Sequence, residues 1–97
     1  MISAQEARQN VINKEFADYR IVETTVMELL TTEMDAAIQF HSQHGMTEID
    51  FFPYTNSHFP STHFMELAKD IFDRVLKRNG YTITINNIET NVLKVQW

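Results

Sequence analysis

The chain contains only two glycines and two prolines, and Gly45, Pro53, Pro60 and Gly80 all stand after its first 44 residues. Residues 2 to 44 therefore lack the side chains that most effectively interrupt a helix. Ser3 followed three positions later by Glu6 has the spacing of a capping box, which predicts a helix starting at Ala4. Gly45 is suited to end the helical region near His44. A single helix of that length would run about 60 Å at 1.5 Å per residue, longer than a domain of this size. Either it breaks or it packs against another chain.

Asn10 and Asn13 are the expected break, because asparagine competes for its own backbone and Asn13 can cap a second helix. The apolar steps also lose phase between Val11 and Phe16. The expectation is a short helix followed by a long one. Along the long one, Tyr19, Val22, Val26, Leu29, Ala37 and Phe40 form one row with a gap at Glu33. Met27, Leu30, Met34 and Ile38 form a second row beside it. So wide an apolar surface is hard to bury in a chain of 97 residues. Self-association through Met27, Leu30, Met34 and Ile38 is the simplest cover, with the C-terminal half of the same chain as the alternative. Thr24, Thr25, Thr31 and Thr32 do not favour helix, so packing must hold this segment.

The second half reads differently. Thr47 to Phe52 alternates acidic and apolar residues, the pattern of a half-buried strand ended by Pro53. After a turn-rich loop from Tyr54 to Pro60, Ser61 or Thr62 caps a helix whose apolar face is Phe64, Leu67, Ala68, Ile71, Phe72, Val75 and Leu76. Gly80 closes it after Lys77 and Arg78. Tyr81, Ile83 and Ile85 alternate with Thr82, Thr84 and Asn86, and Leu93, Val95 and Trp97 follow a turn, so the chain ends as a hairpin. The predicted fold is one α+β domain over residues 1–97: a helical half, then β-α-β-β with a three-stranded antiparallel or mixed sheet.

The chain has no cysteine, which excludes disulfides, thiolate metal sites and cysteine nucleophiles. Thirteen acidic side chains against eight basic ones give a net charge of −5, which opposes direct nucleic-acid binding. The N-terminal region, with Glu6 early and no long apolar run, predicts neither a signal peptide nor a membrane span, and a cytoplasmic location is expected.

Chemistry-bearing residues are few. His41 and His44 share one face at a helix end, but no metal signature accompanies them, and neither a metal nor a cofactor is expected. No catalytic residue is assigned: Glu48 and Asp50 fit the wet side of a strand, and Ser57 beside His58 lacks a nucleophile elbow. The loop between the strand and the second-half helix is the best candidate ligand site. Tyr54, Asn56, Ser57, His58 and His63 lie near a helix N-terminus, where free backbone donors hold anions, and could take a nucleotide-like molecule. Local turn chemistry is by itself a sufficient reason for the same residues, and the better supported one.

The opening Met1-Ile2-Ser3-Ala4-Gln5-Glu6-Ala7-Arg8, the Lys77 to Ile83 passage KRNGYTI and the ending Leu93-Lys94-Val95-Gln96-Trp97 resemble a diffuse group of small, mostly uncharacterised proteins of large tailed bacteriophages. The resemblance covers about a third of the chain, through motifs that carry no catalytic residues. It implies an accessory factor that binds a host protein or sequesters a small signalling molecule. Together, residues and resemblance predict a non-enzymatic binding protein, a homo-oligomer that inhibits a bacterial protein. A module sequestering a nucleotide-like molecule through residues 54–59 is the alternative.

Overall fold

The computed structural model describes residues 1–97. It has the expected α+β architecture, in the order α1 (Ala4–Leu29), a π-helical turn (Leu30–Met34), α2 (Asp35–Gln43), β1 (Glu48–Phe51), α3 (Thr62–Arg78), β2 (Thr82–Asn87) and β3 (Val92–Gln96). Ser3 caps α1 by accepting from the Glu6 amide at 3.1 Å. At the other end, Gly45 takes φ 81° and the Met46 amide returns to the His41 carbonyl at 3.0 Å.

The break expected at Asn10–Asn13 does not occur. The Asn13 side chain accepts from Gln9 Nε2 one turn back at 3.0 Å instead of capping a new helix. The irregularity lies twenty residues further on, in the threonine-rich segment. There the Thr31 hydroxyl bonds back to the Met27 carbonyl at 2.9 Å and the Thr32 hydroxyl to the Glu28 carbonyl at 2.7 Å, the kind of back-bonding that loosens a helical ladder.

The π turn accommodates one extra residue, and the burial pattern records it. Buried positions on the long helix are Asp18, Val22, Val26, Leu29, Met34 and Ile38, at steps of four, four, three, five and four. The step of five spans the turn. It carries the buried face from the row of Val22, Val26 and Leu29 to that of Met34 and Ile38. Phe40, expected on the first row, is turned to solvent.

The sheet is antiparallel throughout, ordered β1-β3-β2. Central β3 buries Leu93 and Val95, with Phe51 and Ile49 beside them from β1. On β2, Ile83 pairs with Val95 as alternation requires, but an irregularity between Ile83 and Ile85 brings Ile85 opposite Lys94 and Asn86 opposite Leu93. That slip reverses the faces, so Ile85 is exposed and Asn86 points inward. α3, the most amphipathic element, packs against both α1 and β2 and places Ala68, Ile71, Phe72 and Leu76 in the core. No helix is long and apolar enough to cross a membrane.

The molecule is 63 Å long and only 24 and 21 Å across, because the unbroken helix outruns the domain it packs on. Residues 1–17 are exposed at every position. Asp18 marks where packing begins: its carboxylate receives Lys14 Nζ at 2.6 Å and lies 3.9 Å from His63 Nε2 on α3.

Candidate functional site

The 54–59 loop is arranged by the core more than by any vacancy. Tyr54 is only 5% exposed. Its phenol donates to Asn86 Oδ1, and its amide donates to Asn91 Oδ1 at 2.6 Å. Its ring meets Phe72 edge-on at 6.2 Å between centroids. Burial pushes the Tyr54 phenol well above the ordinary phenol range, with the carboxylates of Asp70 and Asp73 adding to the effect. Phe59 is buried beside it, and its amide closes the loop onto the Thr55 carbonyl at 2.9 Å.

The five residues expected to form a ligand site are therefore divided. Tyr54 belongs to the core, with both its hydroxyl and its amide engaged. Asn56 and Ser57 are exposed and His58 is half-buried. His63, on the first turn of α3, is directed toward Asp18 of α1. His41 and His44 are likewise each occupied locally, through Met46 Sδ at 3.3 Å and the Phe40 carbonyl at 2.8 Å.

A second site is better formed. Met27, Leu30, Met34 and Ile38, the row expected at an oligomer interface, line one hollow of about 440 Å³ with Val75, Leu76 and Tyr81 from the end of α3 and the start of the hairpin. Thr31, Asp35 and Asn79 complete the lining. The π turn fixes the geometry. Met34, 3% exposed, and Ile38 are rotated into the chain's own core, so these two are floor rather than free surface, a correction to the expected interface. Met27 remains 42% exposed and Leu30 half-buried, so the apolar surface that stays open is narrower than the sequence row.

The projecting part of α1 carries a second apolar surface, outside the two rows of the long helix. Val11, Ile12 and Phe16 are exposed, Phe16 at 61%, and Arg20 holds its guanidinium 5.7 Å above the Phe16 ring. Beyond Arg20, the long helix has no lysine or arginine up to Gln43, while Glu23, Glu28, Glu33 and Asp35 are all acidic. The arm thus presents apolar residues flanked by Arg8 and Arg20, and the groove presents apolar residues flanked by Glu23 and Asp35. No protein-family model matches this chain, and neither a curated protein nor a solved structure does.

Proposed function

We propose that this chain is a non-enzymatic binding protein that acts as a homo-oligomer, assembled through the exposed flank of its long helix. One observation carries the reading: an open apolar groove around Met27 and Leu30 lies on the same helix as an apolar arm, around Phe16, that is exposed along its whole length. Exposed apolar surfaces of this kind mark sites of protein contact, and methionine suits them because its side chain adapts to what it meets. The tailed-phage resemblance makes the final target a host protein, bound and inhibited in the bacterial cytoplasm. Glu28 and Glu33, with the excess of acidic residues over the whole chain, steer the assembly toward a basic surface.

The test is the mass in solution by light scattering over a range of concentrations, for the wild type and for Phe16→Asp and Met27→Asp. A wild-type mass of at least twice 11.4 kDa is expected, falling to one chain in each variant while the circular dichroism spectrum is retained. A wild type that stays monomeric at every concentration contradicts the proposal.

A further inference from the structure

Resting on that reading, we infer that the groove is filled by the helical arm of a second copy, in an antiparallel, twofold-symmetric pair in which each arm lies in its partner's groove. Ile12, Phe16, Glu23, Met27 and Leu30 recur at steps of four, seven, four and three, so arm and groove lie on one continuous face of the helix. On such a face, antiparallel pairing about an axis between Ile21 and Val22 sets Phe16 against Met27. The same register sets Arg20 against Glu23 and Arg8 against Asp35. Both charge pairs are then complementary and, by the symmetry, each occurs twice. Parallel pairing would instead set Phe16 on Phe16, Glu23 on Glu23 and Asp35 on Asp35.

The surface area points the same way. A compact monomer of this mass is expected to expose about 5,800 Å², and the chain exposes 6519 Å². The excess of roughly 700 Å² is close to the ~800 Å² that each partner contributes to an interface of standard size. The arm needs such a partner for its own sake, since a helix of about fourteen residues without tertiary packing is marginal in water.

Because the chain has no cysteine, introduced thiols report the arrangement directly. Phe16→Cys and Met27→Cys chains, oxidised separately and as a mixture, should form a disulfide-linked dimer at least tenfold faster in the mixture. Phe16→Cys that links to itself as fast as to Met27→Cys would overturn the antiparallel arrangement. Arg20→Glu should weaken dimerisation about tenfold by placing like charges together at two symmetric contacts, and adding Glu23→Arg should restore it. Failure of that restoration would also overturn the register. A wild type that is monomeric throughout defeats the proposed function itself, whereas a dimer with the wrong cross-link defeats only this arrangement.

Discussion

Both ends of the long helix carry large apolar residues, and they meet opposite fates. From Ala4 to Ala17 every residue is exposed, including Val11, Ile12 and Phe16, whereas from Asp18 to Ile38 one face is buried in the core. Helix propensity does not explain the difference, since the threonine-rich half is the intrinsically poorer one. What differs is the presence of α3: Val22, Val26 and Leu29 share its core, Arg74 bonds the Tyr19 hydroxyl, and no residue of the arm is buried. Tertiary contact holds the second half, and the first half is helical surface awaiting an equivalent contact.

The largest expected effect comes from breaking the packed half at its irregular point. Inserting one alanine after Thr32 would place Met34 six positions beyond Leu29 and rotate Met34 and Ile38 by about 100° out of the core. Losing the burial of two such side chains should remove roughly 3–5 kcal/mol of stability. Urea unfolding of dilute protein measures it, and an insertion variant as stable as the wild type would mean that the π turn does not set the burial phase. A smaller effect is expected where the core meets the sheet. Tyr54→Phe leaves the inward-facing Asn86 without its phenol donor and should lose about 1–2 kcal/mol near neutral pH.

The same variant reports on alkaline stability. The folded chain holds the Tyr54 proton above the ordinary phenol value of 10.0, while the unfolded chain releases it there. Its contribution is therefore fully present below pH 10 and declines as pH rises further. The wild type should lose stability above about pH 10 with a steeper slope than Tyr54→Phe; equal slopes in pH-dependent unfolding would contradict the assignment. The smallest effect belongs to the arm. Phe16→Asp should change the unfolding free energy of the isolated monomer by less than about 0.5 kcal/mol, because the side chain is already in water.

Much of the fold is legible in the residues, and the failures share a cause. Ser3, Ser61, Gly45 and Gly80 act locally, and all four bound helices where expected. α3 follows from its spacing, and the hairpin from its alternation. The single-residue phase shifts do not follow. The gap at Glu33 is the trace left by the inserted residue of the π turn, but spacing alone reads it as two parallel rows. The bulge between Ile83 and Ile85 leaves the alternation of residue types intact while exchanging inside and outside, which hides Asn86 as the partner of Tyr54. Neither shift shows in the spacing of residue types: the π turn coincides with the back-bonds of Thr31 and Thr32, and the bulge is defined by pairing with β3. For that reason the loop read as a ligand site contributes Tyr54 and Phe59 to the core, and two of the four expected interface residues form the floor of the groove.

Amide hydrogen exchange along the long helix tests the central contrast most directly, measured in dilute and in concentrated protein. Amides of residues 18–38 should be protected in both samples, and those of residues 7–17 only in the concentrated one, where a second copy covers the arm. Arm protection that is equal at the two concentrations, or absent from both, would contradict the account.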